Sequence, residues 1–269
     1  MVYLISDKER SGNLDVSKKP YGTVLIRAAK IMDYLSNSSE SKCLKEIAEQ
    51  TDMTTSTTLK ILDTLVLIGY VTRDNTTKEY TLGPSLVKYA NKYINDSVLV
   101  KAASPYLEEL HDSVDETIHL GIYSGDEVMY LTKLEPKKQS IYMTSKVGST
   151  RPLYSSAMGK AILSELPEEE VKSYLNRTDL VPYTPNTITN SLALLEELKI
   201  VSERSVAFDD EEMEKDCFCI GTSIDLGDNM YGAFSVSMPK FRINDEVIAS
   251  LTHQINDTKK KIEQKIQEG

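Results

Sequence analysis

Five consecutive hydroxyl side chains, Thr54, Thr55, Ser56, Thr57 and Thr58, are followed by Lys60. Hydroxyls and a cation crowded at the start of one helix can reach phosphate oxygens or base edges. Arg73 and Lys78 flank a second polar stretch, Asp74-Asn75-Thr76-Thr77, and Arg27 stands upstream. Together these residues read as a contact surface for double-stranded DNA. The competing reading is a two-helix packing unit whose threonines only cap a helix. The basic flanks of the polar stretch favour DNA.

A second group has different chemistry. Ala233, Ser235 and Ser237 alternate along one apparent strand, so their side chains share a face. Two hydroxyls there are costly to bury unless something polar meets them. Cys217, Cys219 and Gly221 share a face in the same way. Ser155 and Ser156 open a helix whose first turn is Ala157, Met158 and Gly159, and its free N–H groups suit a carboxylate. The set predicts a small pocket for a small anion. Against it stands the reading that the serines bond neighbouring backbone and that the run DDEEMEKD (209–216) is a solvated loop.

The cysteines admit other chemistries. Tetrahedral zinc needs four ligands, and His111, His119 and His253 show no ligand spacing beside Cys217 and Cys219, so no metal is expected. The two thiols can serve as a redox pair, although alternate residues on a strand do not favour a relaxed disulfide. A hydrolase would use Cys219 as nucleophile and His119 as base, without a nucleophile elbow or oxyanion glycines. No catalytic residue and no cofactor is expected.

The elements that must position these groups follow from periodicity. Leu44, Ile47 and Ala48 mark one face of a short helix, and a preceding helix runs from Val24 to Leu35. Leu59, Leu62, Leu65 and Val66 supply the buried stripe expected of the next helix, which Gly69 stops. Val71 and Tyr80–Leu82 bracket the polar tip as a two-stranded ribbon. That order is a winged helix-turn-helix, which puts a helix N-terminus into the major groove. Residues 84–96 form a further helix, with Leu86, Tyr89, Ala90 and Tyr93 at helical spacing. A helix at 98–113 and strands at 116–123 and 127–134 follow. Helices near 156–164, 168–175 and 190–203 lead to strands at 217–225 and 231–238. A long C-terminal helix carries Ile243, Val247, Leu251, Ile255 and Ile262. Antiparallel strands with helices packed around them make an α+β domain.

Composition sets the outer bounds. At 269 residues and a net charge of −10, the chain suits two domains and not a uniformly DNA-coated protein. Residues 18–90 hold 10 Lys/Arg against 8 Asp/Glu, near +2; residues 91–269 hold 19 against 30, near −11. A mildly cationic module joined to an acidic one points to a division of labour. The small positive excess calls for self-association, because two copies double the phosphate contacts. There is no apolar run long enough to span a membrane, and the first 19 residues read as a mobile arm without a signal-peptide core. A cytoplasmic location is expected.

Along nearly its whole length the chain resembles the IclR family of bacterial transcriptional regulators. The N-terminal likeness lies in Arg27-Ala28, LKEIA (44–48), TTSTTLKILDTL (54–65), Gly69-Tyr70-Val71 and Tyr80-Thr81-Leu82-Gly83. The C-terminal likeness lies in PLYSSAMGKAIL (152–163), FDDEEMEKDCFCIG (208–221) and FSVSMP (234–239). The resemblance implies a DNA-binding domain (20–83), a linker helix (84–97) and a GAF-like effector-binding domain (98–269), assembled as dimers or tetramers. It also implies ligand contacts from Ala157, Met158, Asp209, Cys219, Ser235 and Ser237. Asp209 would accept bonds from ligand hydroxyls while the helix start takes a carboxylate, as a 2-oxo acid or sugar-acid breakdown product would require. Three positions depart from the family pattern: Lys60 replaces a frequent Arg, and Ser205 and Asp216 replace frequent glycines.

Overall fold

The computed structural model of the protein describes residues 21–139, 143–227 and 230–268. The expected N-terminal arm, 1–19, lies outside the described residues. The chain divides into two compact units at the Asp96–Ser97 junction. No helix among the described residues is long and apolar enough to cross a membrane.

In the N-terminal unit, helices α1 (Thr23–Ser36), α2 (Leu44–Gln50) and α3 (Thr55–Leu67) precede an antiparallel ribbon of β1 (Val71–Arg73) and β2 (Tyr80–Leu82). The Thr54 hydroxyl caps α3 by accepting the Thr57 N–H at 3.3 Å. Gly69, at φ 76°, ends it in the left-handed region, and the Tyr70 N–H donates back to the Leu65 carbonyl. Ile31, Leu35, Ile47, Leu62, Leu65, Val71 and Tyr80 form the core. The buried stripe of α3 differs from the expected one: it is Thr58, Ile61, Leu62 and Leu65, while Val66 is exposed. The Thr58 hydroxyl donates to the Thr54 carbonyl at 3.1 Å, so a nominally polar residue enters the core with its hydrogen bond made. Ile61, Leu62 and Leu65 then follow at three, four and seven residues, which is one helical face. The next helix, α4 (Ser85–Asp96), buries none of its residues; Tyr89 meets Tyr70 edge-on at 5.7 Å.

The C-terminal unit opens with α5 (Val98–Val114), β3 (Thr117–Ser124) and β4 (Glu127–Leu134). It continues through β5 (Thr150–Pro152), α6 (Ala157–Leu163), α7 (Glu168–Arg177) and α8 (Ser191–Arg204). Strands β6 (Ala207–Asp210), β7 (Cys217–Asp225) and β8 (Tyr231–Pro239) precede α9 (Asp245–Glu268). The six strands make one sheet in the order β5-β4-β3-β8-β7-β6, with every neighbouring pair antiparallel. This is the α+β arrangement of helices around an antiparallel sheet that the sequence predicts. The short edge strands β5 and β6 are additions, and Ile243 precedes α9 because a 3₁₀ turn, Lys240–Arg242, follows Pro239.

Side-chain alternation divides the sheet into two unlike faces. Ile118, Leu120, Phe218, Ile220, Phe234 and Val236 pack under α5 and α9, against Leu107, Leu251 and Ile255 among others. Each such burial contributes roughly 1.5–3 kcal/mol. The intervening residues face α6, and two glycines let that helix sit close. A Cβ on Gly221 would lie 3.1 Å from the Met158 nitrogen, and one on Gly159 would lie 2.3 Å from the Leu153 Cα. Ser205 and Asp216 adopt left-handed angles (φ 62° and 61°), so each carries a side chain where glycine would cost less. At Asp216 the turn survives because its N–H donates to the Glu211 carboxylate at 2.8 Å.

Candidate functional site

The residues expected to meet DNA divide by exposure. Arg27, Thr54, Thr55, Ser56, Lys60, Arg73 and Lys78 are exposed, and Thr57 is half-buried. Thr54 and Thr57 share a hydroxyl–hydroxyl bond of 2.9 Å, which fixes the helix start. Asp74 accepts the Thr76 and Thr77 N–H groups at 2.7 Å each and so shapes the ribbon tip. Lys78 turns its ammonium to the Asn75 carbonyl, and the Arg73 guanidinium lies 5.4 Å from the Tyr80 ring centre. Thr58 is a correction: it is fully buried, its hydroxyl is committed to Thr54, and it cannot contact DNA.

In the C-terminal unit, Ala157, Met158, Asp209, Cys219, Ser235 and Ser237 all line one cavity. It encloses about 470 Å³ of atom-free space, counting the part open to solvent. Register brings them together. Asp209 pairs with Cys219, Cys219 with Ser237, and Ser237 with Thr117, making one row across β6, β7, β8 and β3. The adjoining row runs Gly221, Ser235, His119 and Lys133. Ser156 caps α6 by accepting the Gly159 N–H at 3.1 Å. Among the described residues nothing accepts the Ala157 or Met158 N–H.

Ser235 and Ser237 are each 3 % exposed, yet they are not alike. The Ser237 hydroxyl lies 3.4 Å from His119 Nδ1, whose other nitrogen, Nε2, is 2.6 Å from the Ser145 hydroxyl. The Ser235 hydroxyl has no hydrogen-bond partner among the described residues, and it faces the cavity. Burial, with Lys133 and Arg151 nearby, pushes the His119 imidazole down to about 3, so the ring is neutral. It stacks on Tyr130 at 4.6 Å. A neutral imidazole donates through one nitrogen and accepts through the other, which matches two hydroxyl neighbours.

Asp209 is the electrostatic outlier. Burial raises its carboxyl to about 7, and the neighbouring Glu212 adds to the rise. The Glu212 and Met213 N–H groups, which donate to Oδ1 at 2.8 and 3.3 Å, act in the opposite direction. Glu212 itself pairs with Lys160, and both are buried. The run DDEEMEKD is therefore not a uniformly solvated loop.

The thiols of Cys217 and Cys219 lie 3.7 Å apart, hydrogen-bonded and not joined in a disulfide. Their mutual hydrogen bond, followed by burial, holds the Cys219 thiol well above its ordinary value. A protonated thiol is a poor nucleophile, so the hydrolase reading through Cys219 loses support. The sequence does not mark Tyr130, Met143, Ser145, Arg151, Met213 or Glu214 as lining residues, and it offers His119 only as a zinc ligand or a general base. Arg151 adjoins the segment 152–163 and Glu214 lies within 208–221, both outside any periodic pattern.

Sequence comparison matches residues 91–264 to the family described as "Bacterial transcriptional regulator IclR C-terminal" and residues 24–75 to the "IclR helix-turn-helix domain". The HTH-type transcriptional regulator BhcR of Paracoccus denitrificans is 31% identical over 91% of this chain and 88% of its own. The crystal structure of the Thermotoga maritima IclR superposes with a TM-score of 0.69 at 32% identity, covering 91% of this chain and 98% of that one. An IclR homolog from Microbacterium hydrocarbonoxydans, solved as a complex with 4-hydroxybenzoate, shares the fold at a TM-score of 0.76 and 19% identity, covering 91% of this chain and 100% of its own.

Proposed function

This chain belongs to the IclR family of bacterial transcriptional regulators, and we propose that a small organic acid bound in its C-terminal cavity controls its affinity for operator DNA. The observation that carries this reading is Ser235. Its hydroxyl lines the cavity without a protein partner among the described residues, where a ligand oxygen can meet it. The free N–H groups of Ala157 and Met158 and the Ser237 hydroxyl supply further donors, and Asp209 supplies an acceptor for ligand hydroxyls. That division favours a 2-oxo acid or a sugar-acid catabolite. The Microbacterium homolog with 4-hydroxybenzoate is an acid-bound relative of the same fold.

At the other end of the chain, Thr54, Thr55, Ser56 and Lys60 read the major groove, with Arg73 and Lys78 on the flanking backbone and Arg27 on a neighbouring phosphate. One such module has few cations, so the protein acts as a dimer or tetramer on a pseudo-palindrome within the cytoplasm. The test is salt-titrated binding to DNA from upstream of its own coding region, with and without a panel of 2-oxo and sugar acids. Selective, salt-sensitive binding that one acid changes is the expected result. Selective binding that no acid alters, with no acid bound by calorimetry, would sink the control reading while leaving the DNA reading intact.

A further inference from the structure

We propose that Arg151 is the carboxylate anchor of the effector cavity and that Glu214 is an internal carboxylate holding its place until the ligand arrives. This rests on the cavity being the effector site and assigns a role to two residues outside the set that the family resemblance implies. Among the described residues lining the cavity, Arg151 is the one fixed cation, since none of them is a lysine and the His119 ring is neutral. A small anion entering this space has one full positive charge to meet.

The guanidinium is incompletely used. Nη1 donates to the Thr150 carbonyl at 3.2 Å, and Nη2 reaches Glu214 Oε1 at 3.4 Å. A charge-assisted bond between guanidinium and carboxylate normally closes to about 2.7–2.9 Å, and it is frequently bidentate. Glu214 makes neither kind of contact here. Its carboxylate is shared with the Thr144 hydroxyl, at 3.2 and 3.4 Å to the two oxygens, and its side chain is 40% exposed. An ion pair that open to water is weak, so exchanging it costs little. Two of the five guanidinium donors are engaged, one of them by Glu214, and the full fork becomes available to a planar carboxylate once Glu214 is exchanged. The Tyr130 ring, which also lines the cavity, has its centre 5.6 Å from the guanidinium carbon.

Glu214 is well placed to yield. It lies between β6 and β7, close to the Asp209 and Glu212 contacts that hold the loop on the sheet: Asp209 takes the Glu212 and Met213 N–H groups, and Glu212 meets Lys160. The loop is therefore anchored by its neighbours and not by Glu214 itself. A ligand carboxylate that replaces Glu214 on Arg151 leaves those anchors in place. The exchange also selects chemistry. A neutral analogue of the same shape cannot outcompete a resident carboxylate, so the cavity discriminates acids from their amides by charge.

The test compares full-length parent, Arg151→Gln, Arg151→Lys and Glu214→Gln by calorimetry and by ¹H–¹⁵N NMR. The probes are pyruvate, 4-hydroxybenzoate and acetate, each beside its primary amide, and thermal unfolding confirms that every variant is folded. Glu214→Gln removes the competitor and should tighten acid binding about 3- to 10-fold, bringing acetate into the millimolar range. Arg151→Gln should weaken acid binding about 10- to 100-fold and abolish the preference for acid over amide. Arg151→Lys should restore the preference in part, because the charge returns without the fork. Equal acid affinity in all four proteins overturns the proposal, as does the absence of saturable acid binding to Glu214→Gln. Acid that alters operator binding equally in parent and Arg151→Gln removes the anchor and keeps the acid-controlled regulator. Acid that binds through Arg151 without altering operator binding does the reverse.

Discussion

Two sets of hydroxyls distinguish the two units. On α3, Thr54, Thr55 and Ser56 stand in solvent, where an unused hydroxyl bonds water and costs the fold nothing. On β8, Ser235 and Ser237 are almost completely buried and line the cavity, Ser237 bonded to His119 and Ser235 without a protein partner among the described residues. An exposed hydroxyl can wait for a phosphate at no cost to the fold, whereas one that lines a cavity without a protein partner points to a ligand. Thr58 shows the third possibility, since it is as buried as Ser235 but has the Thr54 carbonyl. Burial alone therefore says little about function; burial without a partner says more.

The same contrast governs charge, and the largest expected effect lies on the buried side. Asp209 titrates near 7 in the folded protein and near 3.8 when unfolded. Between those values the folded state holds a proton that the unfolded state has released, so stability falls as pH rises from about 4 through 7. Above 7 the buried carboxylate is charged and that contribution is lost. Asp209→Asn cannot ionise and keeps an oxygen for the Glu212 and Met213 N–H groups. It should be more stable than the parent at pH 8 by roughly 2–4 kcal/mol and should flatten the pH dependence. Denaturant unfolding at pH 5 and 8 reads both, and parallel pH profiles for variant and parent would remove the unpaired-burial argument. On the exposed side, Lys60→Ala should weaken operator binding about 10-fold and lower the salt dependence by about one ion, with no change in unfolding. Operator binding equal to the parent would show that α3 does not face the DNA.

The sequence made the repetitive parts legible and left the solitary ones hidden. The helix-turn-helix, the ribbon and the alternating strands β7 and β8 all declare themselves by period, and the pairing of Cys219 with Ser237 follows from two such strands lying side by side. The strands β5 and β6 are too short to show a period. The stripe of α3 was displaced in the reading because threonine counts as polar until its hydroxyl is seen to return to the carbonyl one turn back. The six cavity residues implied by family resemblance do line one cavity. Arg151 and Glu214 were invisible because their meaning depends on a contact between residues 63 positions apart.

The most direct test of the account is the acid dose–response of operator binding for the parent and for Ser235→Ala with Ser237→Ala. The variant loses two cavity-lining hydroxyls, of which Ser237 also meets His119, while the serine-to-alanine change keeps the strand's backbone hydrogen bonds. The account predicts that the midpoint of the acid response moves at least 10-fold higher in the variant, with a cooperative thermal transition retained. Superimposable curves would show that the acid acts elsewhere and that the buried hydroxyls are not part of the effector site.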